Sequence, residues 1–301
     1  MKLRGCGTAL VTPFRADGSI DEPALFSLAR WQVESGIDWL LACGTTGETP
    51  TLEEAEWLQV IRIVAEAAAG RVPVWAGCSH NSTRHAVAKA EAAAQVPGIT
   101  AILTANPWYN KPTQEGQFQH FRAIAQSVPL PVVLYNIPTR SVANLEPATV
   151  LRLISAAPNI EAVKESSGNI VQIADLITQA PPGFRVYSGD DLLALATLGV
   201  GGAGLVSVVS NLIPAETAQM VRAALQGDWP AAQSIQRKYF RLFQGIFKET
   251  SPGPVKAILA MMGRLGEHYR LPMVPVQPAT RAYLEKLAAE LGLLTPQAAR
   301  A

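Results

Sequence analysis

The sequence predicts an α/β protein, a (β/α)8 TIM barrel with a small C-terminal helical region, and three observations lead there. Apolar runs of strand length alternate with amphipathic stretches of helix length, the pattern of repeated β-α units around a parallel sheet. Eight such runs fall within about the first 210 residues, a compact case of a barrel for which about 250 residues is usual. After Asn211 the pattern becomes purely helical. The organisation read from this is a catalytic barrel over residues 1–211 and a helical region over 212–301 packed on it. An open doubly wound sheet is the competing arrangement of the same units.

In chain order, the strand-length runs are residues 7–11, 37–43, 72–76, 99–104, 131–135, 160–164, 185–188 and 203–206. Between them, helical periodicity runs over 22–34, 53–69, 83–94, 114–127, 147–156, 170–178 and 191–198. The C-terminal helices are expected over 215–225, 230–247, 254–264 and 279–291.

A chain of 301 residues, 49% hydrophobic and 16% charged, is long enough to bury one large core. Its net charge of +1 comes from 25 basic and 24 acidic residues with no block of like sign, which speaks against nucleic acid or an anionic membrane as partner. Cys6, Cys43 and Cys78 lie at the edges of apolar runs and read as buried reduced thiols, hence a cytoplasmic protein. No apolar segment precedes Cys6, so no export or lipid signal is read there. Residues 192–215 carry no charge and are long enough to span a bilayer. Their glycines, Thr197, Asn211 and Pro214, with acidic residues at both ends, fit a buried helix followed by a buried strand instead. Gly199 to Gly204 spell G-x-G-x-x-G, but the motif precedes its strand and opens no helix, so it offers a pyrophosphate no seat. The histidines His80, His85, His120 and His268 have no metal-ligand spacing, and no metal is expected.

In such a barrel the chemistry lies at the C-terminal ends of the strands. Lys164 ends the sixth run and is followed at once by Glu165-Ser166-Ser167-Gly168. Burial disfavours the charged form of an amine, and a neutral amine attacks a ketone. A lysine whose stem crosses the sheet rim toward solvent is the plain alternative. Gly44-Thr45-Thr46-Gly47-Glu48 after the second strand offers hydroxyls and backbone N–H groups for a small carboxylate, or is an ordinary glycine turn. Tyr135, ending the fifth strand, suits proton transfer or a half-buried structural phenol, and Arg140 offers a planar fork for a carboxylate. Trp108 and Tyr109, in a proline-bracketed loop, suit a core edge or a subunit contact. Ser188-Gly189-Asp190-Asp191 ends the seventh strand and suits the positive end of a helix. Together these place an amine, a phenol, two hydroxyls and a guanidinium at one rim, a set suited to carbonyl chemistry through an imine.

Gly44-Thr45-Thr46-Gly47-Glu48, Tyr135-Asn136-Ile137-Pro138, Lys164-Glu165-Ser166-Ser167-Gly168-Asn169 and Ser188-Gly189-Asp190 resemble, in order and spacing, the dihydrodipicolinate synthase / N-acetylneuraminate lyase family of pyruvate-dependent class I aldolases. The resemblance covers nearly the whole chain. It implies that Lys164 forms an imine with pyruvate, and that Thr46 and the backbone near Val206 hold the pyruvate carboxylate, with Gly189 also at the substrate. It further implies a proton relay through Tyr135, Thr45 and a Tyr109 donated by a neighbouring subunit, hence a homotetramer built from two dimers. Arg140 matches the synthase branch, in which an arginine holds the carboxylate of aspartate 4-semialdehyde. The implied reaction is the condensation of that aldehyde with pyruvate to 4-hydroxy-tetrahydrodipicolinate, in lysine and diaminopimelate biosynthesis, without metal or diffusible cofactor. A sister aldolase acting on a 2-keto-3-deoxy sugar acid, N-acetylneuraminate or 4-hydroxy-2-oxoglutarate shares Lys164 and Tyr135 and differs in its second substrate, and a keto-acid-binding barrel without turnover is a remoter reading. One departure is Val142, where the family often has glycine. His85 and Trp108 stand where lysine-sensitive members have an acidic residue and a tyrosine, so weak or absent inhibition by lysine is expected.

Overall fold

The computed structural model describes residues 3–294. Residues 1 and 2, at the start of the expected barrel, and 295–301, at the end of the expected helical region, lie outside them. Among the described residues, eight parallel strands pair in sequence order and close into a barrel: β1 (Gly5–Ala9), β2 (Trp39–Ala42), β3 (Val74–Gly77), β4 (Ile99–Ala105), β5 (Val132–Asn136), β6 (Ile160–Glu165), β7 (Arg185–Ser188) and β8 (Gly204–Ser207). β1 pairs with both β2 and β8, which excludes the open sheet. Every expected run overlaps a strand, with ends that differ by up to two residues. The second is shorter than its apolar run because Cys43 adopts a left-handed φ of 55° and turns the chain out of the sheet.

The helices are α1 (Glu22–Glu34), α2 (Glu54–Ala68), α3 (Thr83–Ala94), α4 (Gln114–Ser127), α5 (Pro138–Ser141), α6 (Pro147–Ala156), α7 (Ile170–Gln179), α8 (Ala194–Gly199), α9 (Pro214–Leu225), α10 (Trp229–Gly245), α11 (Gly253–Met261) and α12 (Pro278–Glu290). Their starts follow local chemistry. Asp21, Thr113, Asn169 and Asp228 each accept a backbone N–H of the turn they precede, and Glu53 with Glu56 forms a reciprocal capping pair at α2. The uncharged stretch resolves into α8 and β8, and no described helix is long and apolar enough to cross a membrane. α9, which the sequence division places with the C-terminal helices, packs against β1, β8 and α8; α10 lies on α9, and α12 contacts α10 and α11.

Two cores result. The larger lies between strands and helices, and the smaller fills the barrel with inward residues of alternate positions. In the smaller core Trp39 stacks on Trp75 with centroids 5.0 Å apart, and Tyr187 meets both, at 5.3 and 5.6 Å. Rings of this size each remove roughly 150–250 Å2 from water, worth at most about 4–6 kcal/mol at about 25 cal/mol per Å2. The neighbours must be small to admit them: a Cβ on Gly7 would lie 1.9 Å from Trp39 Nε1. The Tyr187 hydroxyl donates to the Leu3 carbonyl at 2.9 Å, tying the aromatic floor to the chain entering β1.

Candidate active site

The period of two along a strand explains the paired motifs of β5 and β6. Tyr135 registers with Lys164, and Asn136 with Glu165. The first pair belongs to the barrel interior. Lys164 Nζ lies 4.0 Å from the centroid of the Tyr135 ring, and both residues are buried, at 3% and 4% exposure. The second pair is a clamp. The Asn136 amide donates to both Glu165 carboxylate oxygens at 3.1 Å, and Ser167 N–H and the Gln172 amide complete the set. Burial pushes the Glu165 carboxyl up, while these hydrogen bonds pull it back toward the ionised form. The clamp fixes the two strand ends on which Tyr135 and Lys164 ride.

Gly189, just past β7, completes the lysine's chamber. A Cβ built there would lie 2.0 Å from Ser166 Oγ and 2.8 Å from Lys164 Cε, so the lysine occupies the space that a side chain would take. Gly189 N–H donates to the Glu165 carbonyl at 2.8 Å, which locks that approach. Ser166 Oγ is buried there without a hydrogen-bond partner among the described residues.

A cavity of about 660 Å3 opens at this rim, and Thr45, Tyr135, Arg140, Asn106, Trp108 and His80 are among the residues lining it. Thr45 stands at the start of a 3-10 turn, Thr45–Gly47; Thr46, in the same turn, is buried at 3% exposure. Arg140 lies in α5, and one guanidinium nitrogen donates to the Ser251 carbonyl at 3.1 Å. Val142 adopts φ 58°, the left-handed conformation a glycine would supply, and its N–H donates to the Pro138 carbonyl; the turn that presents Arg140 is thus formed despite the valine. Val206, on β8, lies in the interior cluster with Tyr135. Tyr109 is the outlier. It is 87% exposed at φ 71° and is not among the residues that line the cavity.

The roles of three buried charged residues, Asp191, Glu48 and Lys256, escaped the sequence reading. Asp190 accepts the Leu192 N–H, the local turn role its position suggests, but Asp191 is buried and accepts Ser207 Oγ at 2.5 Å and the backbone N–H groups of Val208 and Val209 at 3.0 and 3.3 Å. It holds the chain leaving β8 at the start of the 3-10 turn Val209–Asn211, and its side chain does not cap α8. Glu48, the last residue of the Gly44 to Glu48 motif, forms a fully buried ion pair with Lys256 of α11, Nζ to Oε1 2.6 Å. The available signal was a lone charge within Pro254-Val255-Lys256-Ala257-Ile258, an otherwise apolar helical run.

A buried amine near the end of β6, packed on a phenol and roofed by a glycine, is the centre of the candidate site at the end of the (β/α)8 barrel where such enzymes house catalysis. The chain belongs to the dihydrodipicolinate synthetase family, whose model matches residues 2–291. It is 69% identical to the 4-hydroxy-tetrahydrodipicolinate synthase of Acidobacterium capsulatum over 98% of this chain and 97% of that one. Identity to the synthase of the same name from Koribacter versatilis is 59%, over 98% of each chain. Among solved structures, the chloride-inhibited dihydrodipicolinate synthase from Acinetobacter baumannii complexed with pyruvate superposes with a TM-score of 0.94 at 37% identity, over 97% of this chain and 99% of that one.

Proposed function

We propose that the chain condenses pyruvate with L-aspartate 4-semialdehyde to give 4-hydroxy-tetrahydrodipicolinate, on the route to diaminopimelate and lysine, through an imine on Lys164. The observation that carries this reading is the packing of Lys164 Nζ 4.0 Å from the Tyr135 ring in the chamber that Gly189 leaves open. The names of the relatives and the pyruvate bound to the Acinetobacter enzyme support the choice of substrates.

The neutral Lys164 amine attacks the keto carbon of pyruvate, and the carbinolamine loses water as the imine forms. Loss of a methyl proton gives the enamine, with the iminium nitrogen taking the electron pair. The enamine carbon attacks the aldehyde, whose oxygen is protonated as the new bond forms. The substrate's own amine then adds to the imine carbon, closing the ring and expelling Lys164. Tyr135 carries protons with Thr45, both on the cavity wall. Thr46 and the backbone at Val206 hold the pyruvate carboxylate, and Arg140 receives the carboxylate of the aldehyde.

The relay's third member is Tyr109 of a neighbouring subunit in a homotetramer, a role that suits a phenol 87% exposed on its own chain. A cytoplasmic location belongs to the same reading, supported by three buried cysteines that are all free. Borohydride reduction in the presence of pyruvate, followed by mass spectrometry, tests the mechanism. A pyruvyl adduct on Lys164, together with turnover of added aspartate semialdehyde, is expected. An adduct without turnover sinks the choice of aldehyde, and no adduct sinks the imine.

A further inference from the structure

We propose that Lys256 is a positioning residue, holding the Thr45-Thr46 turn in register with Lys164 through its ion pair with Glu48; the effect on pyruvate rests on the function proposed above. The two partners are 208 positions apart in sequence and meet at 2.6 Å with side-chain exposures of 0% and 1%.

A fully buried ion pair needs a reason. Desolvating both charges offsets much of their attraction, and apolar replacements of similar volume are often neutral or better for stability. What such a pair adds is direction, because an ammonium satisfied by one carboxylate oxygen fixes where that carboxylate lies. Here the carboxylate belongs to the residue that ends the Thr45–Gly47 turn. Glu48 sits at φ 53°, between that turn and the next one, Thr49–Thr51, so its side chain anchors the hinge of the β2 loop. The Gly47 carbonyl is held separately by the Thr12 hydroxyl at 2.7 Å. Glu48 therefore supplies the loop's charged link to the C-terminal helices.

Lys256 is itself immobilised. Its Nζ lies 4.5 Å from the Phe14 ring centroid and 4.9 Å from that of Tyr269, whose hydroxyl donates to the Gly253 carbonyl at 3.0 Å. Arg270 adds a second grip on the same loop, with bonds to the Thr51 carbonyl and to both carboxylate oxygens of Glu56. The segment leading into α11 also reaches the other side of the cavity, where the Ser251 carbonyl accepts from Arg140. One helix entry thus touches the loops that carry Thr45 and Arg140, both of which line the cavity.

The test is the double variant Glu48→Gln/Lys256→Met, which removes both buried charges and leaves neither ion unpaired. Three quantities are read: the melting temperature, hydrogen exchange of the amides in residues 44–51, and the pyruvate concentration giving half-maximal borohydride-trapped adduct on Lys164. The expected result is near-wild-type melting, faster exchange in the turn, and about tenfold more pyruvate needed, since small misplacements at a reacting centre are costly. Unchanged exchange, or wild-type pyruvate demand once stability is retained, overturns the proposal. If the wild type itself forms no adduct while exchange in the variant is faster, the imine reading fails and the positioning of the turn stands. Should the double variant not fold, Glu48→Asp keeps the ion pair charged on both sides and shortens its reach by one methylene, which displaces the turn. It is expected to shift exchange and pyruvate demand in the same direction, and no shift overturns the proposal.

Discussion

At the scale of single residues, absence of a side chain is as informative as presence. Gly189 follows β7 without a left-handed backbone, so alanine meets no conformational obstacle there and its effect is purely steric. The added carbon falls on Ser166 Oγ and Lys164 Cε, and Ser166 escapes by rotating while Lys164 has to leave its place against Tyr135. Gly189→Ala is therefore expected to slow formation of the trapped pyruvate adduct by roughly 100-fold, with about 1–3 kcal/mol lost in stability from overpacking. Adduct formation at the wild-type rate in the folded variant would contradict this geometry. Lys164 and Tyr135 were legible from sequence because strand ends in a barrel converge on one rim. The steric role of Gly189 was not, since a glycine after a strand reads equally well as a turn, and only the path of the Lys164 stem tells the two apart.

At the scale of elements, α5 and the segment after β8 carry separate consequences. Val142 ends α5 in the left-handed region while 62% exposed, so its side chain gains little from burial and bears the strain of a β-branched residue at positive φ. Relief of about 1–2 kcal/mol set against about 0.4–1 kcal/mol of added unfolded-chain entropy makes Val142→Gly stabilising by roughly 0.5–1 kcal/mol, with turnover unchanged because Arg140 keeps its turn. Urea melts of the variant and wild type check the sign.

Asp191 links stability to pH. Burial pushes its carboxyl from 3.8 up to about 6, against the hydrogen bonds from Ser207, Val208 and Val209 that pull it down. Between about pH 4 and 6 the native chain holds a proton that the unfolded chain has released, so this group's contribution to stability falls as pH rises through that window and is level above it, by about 3 kcal/mol in all. His120 works the other way, since burial brings it down to about 4 and the unfolded chain binds its proton first as pH drops below the usual histidine range. The two slopes overlap, so the informative quantity is the wild-type minus Asp191→Asn difference. That difference should shrink by about 3 kcal/mol from pH 4 to pH 7, and a constant difference would refute the buried-carboxyl account. Sequence suggested helix capping for Asp191 because acidic residues ahead of a helix commonly serve that role. Its partners lie 16 to 18 positions onward, across a strand that had yet to be placed.

At the scale of the whole molecule, the barrel was legible because its strands are continuous apolar runs, and eight of them in about 210 residues leave little room for another plan. The Glu48–Lys256 link was beyond reach, since no local pattern announces which two charges 208 positions apart will share a dry site. The cavity's lining carries a further expectation. His80, His85, Lys89 and Glu54 are among the residues that form it. Burial lowers the His80 pKa, and His85 and Lys89 lower it further, which leaves His80 a neutral ring near pH 7 beside the Lys89 ammonium. A ligand with two ammonium groups finds few partners there, so L-lysine at about 1 mM should leave the initial rate essentially unchanged. Half-maximal inhibition below that concentration would refute the expectation.

The aromatic floor of Trp39, Trp75 and Tyr187, tied to Leu3, fills the barrel beneath the candidate site, and the cavity lined by Thr45, Tyr135 and Arg140 opens at the rim above it. Under the proposed function both substrates and the product share that cavity. The smaller guest has to be seated before the larger one arrives, and the finished ring departs past the threshold its second component crossed. A crowd of aldehyde at that threshold delays the next pyruvate, so the rate should pass through a maximum as aldehyde rises at fixed pyruvate, and raising pyruvate should lift the blockade.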